Sequence, residues 1–142
     1  MKKVFLFAFA AVAVSFTACG QKLKESAVPS AVKQAFATKF PGISATWEKE
    51  DGAYEVSFKK NGHSMSQLIN AQGVVLETET DISSTELPEQ VRAYLEQHHK
   101  GSKIKETSKI EKADRSTIYE AEVNGKDLLF DDKGNFIKET KD

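Results

Sequence analysis

A β-hairpin is encoded in residues 54–62, which read Tyr54-Glu55-Val56-Ser57-Phe58-Lys59-Lys60-Asn61-Gly62. Apolar side chains alternate with polar ones, which is typical of a strand with one buried face. The closing Asn-Gly pair is the strongest short-range signal for a two-residue hairpin turn. Because the turn sets the pairing register, we expect Phe58 to lie opposite Met65 and Tyr54 opposite Ile69.

The same pattern occurs a second time, in Tyr119-Glu120-Ala121-Glu122-Val123-Asn124-Gly125. The surrounding segments also repeat in order, since each copy begins with a proline-initiated apolar stripe at helical spacing and continues as four alternating segments. The first copy spans residues 28–81 and the second spans residues 82–142. The sequence therefore predicts an α+β fold, a tandem duplication of a helix followed by a four-stranded antiparallel meander.

The N-terminus predicts export and lipidation. Two lysines precede an apolar run over residues 4–16, a pattern that is typical of a secretory signal peptide and too short for a membrane-spanning helix. The following Phe16-Thr17-Ala18-Cys19 resembles a bacterial lipobox. We expect residues 1–18 to be a lipoprotein signal peptide, Cys19 to be the acylated N-terminus and residues 19–27 to be a tether. The alternative is a plain secreted protein with an unpaired cysteine.

Composition and the residues after Cys19 indicate where the protein resides. Cys19 is the only cysteine, so no internal disulfide can form even in an oxidising compartment. Gly20-Gln21 lacks an aspartate after the cysteine, which in the enterobacterial pattern implies sorting to the outer membrane. We expect a cell-envelope protein, held in the outer membrane only by its N-terminal lipid and facing the periplasm. A net charge of −1 with mixed signs gives no basic stripe for nucleic acid.

Alternation along the strands separates two sheet faces. We expect the face that carries most of the large apolar side chains to lie beneath the helices, and it includes Trp47, Leu76 and Ile137. The opposite face is expected to stay open, and a few of its residues are apolar: Leu68, Val75, Ile118, Leu129 and Phe136. These apolar residues either form a binding patch or seal the seam between the two halves.

The candidate partner-binding residues lie mainly on that open face. Trp47 is added because tryptophan is often only partly buried and is enriched at interfaces. The predicted set is Trp47, Glu55, Ser57, Ser66, Leu68, Val75, Glu120, Glu122, Leu129 and Phe136.

Motifs for catalysis or cofactor binding are not found in the sequence. It contains no Gly-rich phosphate loop and no nucleophile elbow. The adjacent His98 and His99 point about 100° apart on a helix, so they do not chelate one ion. Residues 131–135 lack the later glutamate of a calcium loop and predict a turn. We therefore expect no enzyme activity, no cofactor and no metal site.

Together, the lipobox, the paired helices, the aromatic-led strands and the Asn-Gly hairpins resemble the PepSY-like family over residues 28–140. Members of this family are common as small exported proteins of Bacteroidetes and are described as β-lactamase-inhibitor-like. The related inhibitors carry tandem helix-plus-four-strand halves whose sheets form a concave surface that grips a protein. The disulfides of those inhibitors are impossible here, because this sequence has one cysteine.

The resemblance implies a function as well as a fold. It implies a non-catalytic cell-envelope binding module that docks onto or inhibits a protein partner through the open sheet face, the partner being an unidentified envelope protein such as a hydrolase. The alternative is a periplasmic protein that binds a small ligand or a metal ion through carboxylates and His63 or His98. A ligand that binds only the folded state raises the melting temperature, which distinguishes the two.

Overall fold

The computed structural model describes residues 21–141, which form one antiparallel sheet and two helices. The helices are α1 (Ser30–Lys39) and α2 (Glu89–His98), and each directly follows a proline. The strands lie across the sheet in chain order: β1 (Gln21–Leu23), β2 (Ala45–Glu50), β3 (Ala53–Lys60), β4 (His63–Asn70), β5 (Val75–Asp81), β6 (Ile104–Lys112), β7 (Thr117–Val123), β8 (Lys126–Phe130) and β9 (Phe136–Lys141).

The predicted α+β fold and its duplication are confirmed, since α1 is followed by β2–β5 and α2 by β6–β9. The hairpin register is also as predicted, with Phe58 opposite Met65 and Tyr54 opposite Ile69. Asn61 and Asn124 have φ values of 51° and 56°, the left-handed conformation that a two-residue hairpin turn requires. Both hairpins therefore form for the local reason that the sequence indicated.

Two expectations concern the N-terminal region. The predicted signal peptide and Cys19 lie outside the described residues, whereas part of the predicted tether is folded. Gln21–Leu23 forms the edge strand β1 on β2, and Glu25–Ala27 forms a short 3-10 turn. Leu23 packs against the first hydrophobic cluster, and this tertiary contact, rather than any periodicity of its own, accounts for the strand. No helix within residues 21–141 is long and apolar enough to cross a membrane.

Each helix covers its own hydrophobic cluster. The α1 cluster joins Val32, Phe36 and Phe40 to Val56, Phe58 and Ile69, and the α2 cluster joins Val91 and Leu95 to Ala121, Leu128 and Phe130. Cross-strand partners share a face of the sheet. A line of such partners leads from the α1 cluster to the α2 cluster, through Met65, Thr80, Lys109 and Tyr119. Both helices therefore cover the same face. Within residues 21–141, neither helix covers the other face.

A β-bulge in the first half corrects one prediction of facing. The register between β4 and β5 shifts after Leu68, so that Ile69 pairs with Val75 instead of Leu76. Val75 therefore packs against the α1 cluster, and the prediction that it lies on the open face was wrong. A bulge places one extra residue in a strand and reverses the alternation beyond it.

The second half contains a bulge at the corresponding place. Phe130 pairs with Phe136, and the rings of Phe136 and Tyr94 stack with their centroids 5.0 Å apart. Phe136 is thus on the helix-covered face, not the open one as predicted. Ile137, which was expected in the core, is 49% exposed.

Trp47 is likewise inside the molecule. Its ring meets that of Phe36 edge-on at 5.6 Å, and the residue is 5% exposed. The open face therefore includes neither Val75 nor Phe136. Trp47 lies on the helix-covered face as expected, but it is buried rather than partly exposed. Three of the apolar residues predicted on the open face do lie there: Leu68, Ile118 and Leu129. Their cross-strand partners on the same face are Glu55, Ile110 and Glu120, in that order.

Candidate functional site

The open face is the sheet surface opposite the two helices, and its side chains can be followed by their pairing. Ser57 pairs with Ser66, Ser66 with Glu79, and Glu79 with Ile110. This row crosses from β3 to β6, so both halves of the chain contribute to one surface. The carboxylates placed there by the same pairing are Glu48, Glu50, Glu55, Glu77, Glu79, Asp81, Glu106, Glu120, Glu122 and Asp127.

A groove of about 850 Å³ opens on this surface along β2–β6. Its lining begins at residues 43–46, and its polar members include Ser57, Lys59, Ser66, Glu79, Asp81 and Glu106. The volume is within the range of about 300–1,000 Å³ that is usual for ligand sites. Because Glu106 belongs to the second half, the groove spans the junction of the two repeats.

A second, much smaller cavity of about 10 Å³ lies among Glu55, Ser66, Leu68, Glu77 and Glu79. Glu55 is 5% exposed, and its Oε1 accepts no hydrogen bond within the described chain. A buried carboxylate oxygen without a donor loses its hydration and gains nothing in exchange, which is unfavourable by about 1–3 kcal/mol or more. The centre of the open face is therefore dense in carboxylates and short of donors.

Burial and mutual repulsion perturb these carboxylates. Burial, followed by Glu50 and Glu48, raises the pKa of Glu55 to about 7 against the opposing hydrogen bond from Ser66. Burial also raises the pKa of Glu79 to about 7; the hydroxyl of Ser108 opposes this, and neighbouring carboxylates add to it.

The strongest shift is on β7. Burial raises the pKa of Glu120 to about 8, with further contributions from Glu79, Asp127, Glu106 and Glu122. Burial likewise raises the pKa values of Asp81 and Glu106. Since Glu79 of the first half raises the pKa of Glu120 in the second half, and Glu106 of the second half raises that of Glu79, the cluster is one electrostatic unit.

Lysines compensate some of this charge. Lys105 Nζ lies 2.8 Å from Glu122 Oε1, and Lys112 Nζ lies 3.3 Å from Glu77 Oε1. The charged groups with the largest effects on the pKa values of Glu79 and Glu120 are nevertheless all carboxylates. The interior of the cluster therefore stays under-compensated.

Most of the predicted site residues are brought together on the open face. Glu55 and Ser57 on β3 pair with Leu68 and Ser66 on β4, and Ser57 and Ser66 line the groove. In the second half, Glu120, Glu122 and Leu129 lie on the same face, beyond β5 and β6. That these residues bind a partner stays a prediction.

The predicted site did not include the carboxylates Glu79, Asp81 and Glu106, nor Asp127, which alternation along the strand had placed on the open face. A signal for the first two was present, because residues 77–81 read Glu-Thr-Glu-Thr-Asp, with an acidic residue at every second position. Such alternation directs all three carboxylates to one face of a strand.

The other polar candidates have local roles. Asp131 Oδ1 accepts hydrogen bonds from the backbone N–H groups of Lys133 and Asn135, which confirms the predicted turn. His63 Nδ1 lies 2.9 Å from the carbonyl oxygen of Asp81, and His98 packs on Tyr94. Within residues 21–141, no three His, Cys, Asp or Glu residues are grouped closely enough to hold a metal ion.

Two helix-then-strands units that share one antiparallel sheet define the class of β-lactamase-inhibitor-like tandem folds. The sequence matches the family described as "Putative beta-lactamase-inhibitor-like, PepSY-like" twice, over residues 16–76 and over residues 70–138. The chain therefore belongs to the PepSY-like family, as the sequence motifs indicated. No curated protein matches the chain.

Crystal structures of Bacteroides proteins have the same fold. A "putative periplasmic" protein of Bacteroides eggerthii is 16% identical with a TM-score of 0.76, covering 80% of this chain and 88% of that one. A DUF2874 family protein of Bacteroides ovatus is 21% identical with a TM-score of 0.73, covering 80% and 86%. A BLIP-like protein of Bacteroides fragilis is 26% identical with a TM-score of 0.68, covering 80% and 86%.

Proposed function

We propose that the chain is a non-catalytic binding module of the cell envelope, which docks onto a protein partner, such as a hydrolase that it inhibits, through the open sheet face. The observation that carries this proposal is that neither helix of the described residues covers one face of the nine-stranded sheet. Both helices pack on the opposite side, and a groove to which both halves contribute crosses the open face. An uncovered antiparallel face is available to solvent or to a partner.

The side chains of this face support protein docking. Leu68 and Ile118 are half-buried, and they belong to neither of the clusters beneath the helices. They lie on the open face, where Leu68 pairs with Glu55 and Glu77. An apolar centre with a polar surround is the usual composition of a protein–protein interface.

The envelope location has separate support. The N-terminal signal and lipobox predict export and acylation at Cys19, and the structurally similar Bacteroides eggerthii protein is described as periplasmic. Because β1 begins at Gln21, only Gly20 separates the predicted lipid anchor from the folded sheet. A lipidated chain would therefore be held close to the membrane surface rather than on a long tether.

Site-specific photo-crosslinking in cells tests the proposal. The full chain carries p-benzoylphenylalanine in place of Ser66, at the centre of the open face, or in place of Ala93, on the exposed surface of α2. We expect a discrete crosslinked protein with the probe at residue 66 and none with the probe at residue 93. Equal crosslinking at the two positions, or none at residue 66, would contradict docking through the open face.

A further inference from the structure

The open face has more negative charge than its own lysines neutralise. Pairing places ten carboxylates on this face, over β2, β3 and β5–β8. The lysines of the same face are fewer: Lys22, Lys59, Lys112 and Lys138, with Lys105 reaching Glu122 from the neighbouring bulge of β6. Burial is the largest cause of the raised pKa of Glu79, and the charged neighbours that add to it, Asp81, Glu106 and Glu55, are all acidic. An excess of one sign on one face attracts a partner of the opposite sign and sets its orientation.

Buried carboxylate oxygens on this face also lack donors. Glu55 Oε1 on β3 and Glu120 Oε2 on β7 are both buried, and neither accepts a hydrogen bond within the described chain. Glu55 is 5% exposed and lines the small cavity beside Glu77 and Glu79. Carboxylates buried in this way gain most from a cationic donor, because charge-assisted hydrogen bonds are about twice as strong as neutral ones.

The spacing of the carboxylates indicates the shape of that donor. Glu55, Glu79, Glu106 and Glu120 lie on β3, β5, β6 and β7. Neighbouring strands are about 4.8 Å apart, so the row from Glu55 to Glu120 extends over roughly 19 Å. One small ion spans a few ångströms, whereas a polypeptide with several cationic side chains matches the length of the row.

We propose that the open face receives a basic segment of the partner protein, with two or more lysine or arginine side chains paired to carboxylates across β3–β7. This inference rests on the proposed docking function and specifies the chemistry of the partner. The groove provides the depth for such side chains, since Glu79, Asp81 and Glu106 line it. The hydroxyls of Ser57 and Ser66 supply further hydrogen bonds along its floor.

A fluorescein-labelled oligo-arginine peptide is the probe. About eight extended residues span roughly 26 Å, which is enough to cover the row. Binding to residues 21–142, which contain every strand and both hydrophobic clusters, is measured by fluorescence anisotropy. We compare a double variant of the open face, Glu79→Gln with Glu120→Gln, with a control of equal charge change, Glu89→Gln with Glu96→Gln on the exposed surface of α2.

We expect saturable binding that weakens about tenfold or more in the open-face variant, a loss of about 1.4 kcal/mol per tenfold, and that stays within about twofold in the control. Arginine keeps its charge at all working pH values, so tighter binding at about pH 8.5 than at about pH 5.5 reports ionisation of the face. Absence of binding, or equal weakening in both variants, would overturn the inference.

The same variants separate this inference from the docking function. If Glu79→Gln with Glu120→Gln leaves the crosslink at residue 66 intact while peptide binding is absent, the face docks a partner that presents no basic segment. If the peptide binds this face but no crosslink forms at residue 66, the docking function fails instead. Far-UV circular dichroism of each variant verifies that it is folded.

Discussion

At the scale of single residues, the unusual feature is a set of carboxylates held where their charged form is disfavoured. Glu55, Glu79 and Glu120 have pKa values raised to about 7, 7 and 8, with burial as the largest cause in each. Ionisable groups with strongly shifted pKa values are common at functional sites, where the surroundings favour binding of a ligand rather than stability. A bound cation would reverse the shift by favouring the charged form.

These raised pKa values predict that stability falls as the pH rises. Between the unfolded pKa of about 4.5 and the folded values of about 7 to 8, the folded chain holds more protons than the unfolded chain. The free energy of unfolding attributable to these groups therefore decreases across that window. Urea denaturation at about pH 5 and at about pH 8.5 measures the decrease.

Replacing one carboxylate by its neutral isostere isolates the effect. We expect Glu120→Gln to raise the free energy of unfolding by about 1–3 kcal/mol at about pH 8.5 and to leave it nearly unchanged at about pH 5, because each pKa unit corresponds to about 1.4 kcal/mol. Glu96→Gln on exposed α2 is the matched control. A gain that is equal at both pH values, or equal in the control, would show that repulsion on the open face is not the cause.

At the scale of the elements, two glycine turns position the strands beneath the helices. Gly73 between β4 and β5 has a φ of 84°, and a Cβ there would lie 2.7 Å from the carbonyl oxygen of Ala31 in α1. Gly134 between β8 and β9 has a φ of 86°, and its Cβ would lie 2.9 Å from the Cβ of Gln90 in α2. The repeat therefore preserves a close approach between turn and helix as well as a strand order.

We expect Gly73→Ala to destabilise the fold more than Gly62→Ala. Both glycines have nearly the same positive φ, 84° and 82°, so the backbone cost is matched. The added methyl group has open space at Gly62 but meets the Ala31 backbone at Gly73. Overpacking of this kind costs about 1–3 kcal/mol beyond the backbone term. Urea denaturation gives the difference, and equal losses in the two variants would mean that the turn-to-helix contact contributes little.

The elements also show how far sequence reasoning extends. Helices and hairpins were predictable, because prolines, Asn-Gly pairs and alternating patterns act within a few residues. The two bulges were not, because one extra residue in a strand has no consistent sequence signal and yet moves Val75 and Phe136 to the other face. The edge strand β1 was missed because its pairing to β2 depends on a tertiary contact of Leu23.

At the scale of the whole molecule, the two halves share one sheet. Glu79 on β5 pairs with Ile110 on β6, so main-chain hydrogen bonds join the repeats directly. The hydrophobic clusters themselves remain separate beneath α1 and α2. The shared sheet predicts that the halves unfold together, although each has its own core.

Trp47 is the only tryptophan and is buried in the first cluster, so its fluorescence reports the first half. We expect Leu128→Ala, at a fully buried site in the second cluster, to lower the free energy of unfolding by about 2–5 kcal/mol. If the halves unfold together, Leu128→Ala should shift the unfolding midpoint measured by Trp47 fluorescence as far as the midpoint measured by far-UV circular dichroism. If the dichroism transition shifts and the Trp47 transition does not, the halves are independent. Ile69→Ala in the first cluster is the matched variant, for which both probes should shift in either case.

The acidic cluster exists only at this largest scale. Glu55 and Glu120 are far apart in sequence, and each is an ordinary polar position of an alternating strand. They belong to one electrostatic unit because β5 pairs with β6 and the open face continues across the junction. Local patterns could therefore place individual members of the site but could not indicate the under-compensated charge that distinguishes it.

The open face as a docking surface is tested most directly by the dissociation constant of the protein that crosslinks at residue 66. It is measured for Ser57→Tyr, which fills the groove, and for Ala37→Tyr, on the exposed side of α1. We predict binding about tenfold or more weaker for Ser57→Tyr, equivalent to about 1.4 kcal/mol, and unchanged for Ala37→Tyr. Unchanged binding by Ser57→Tyr, or an equal loss of affinity for Ala37→Tyr, would contradict docking through the open face.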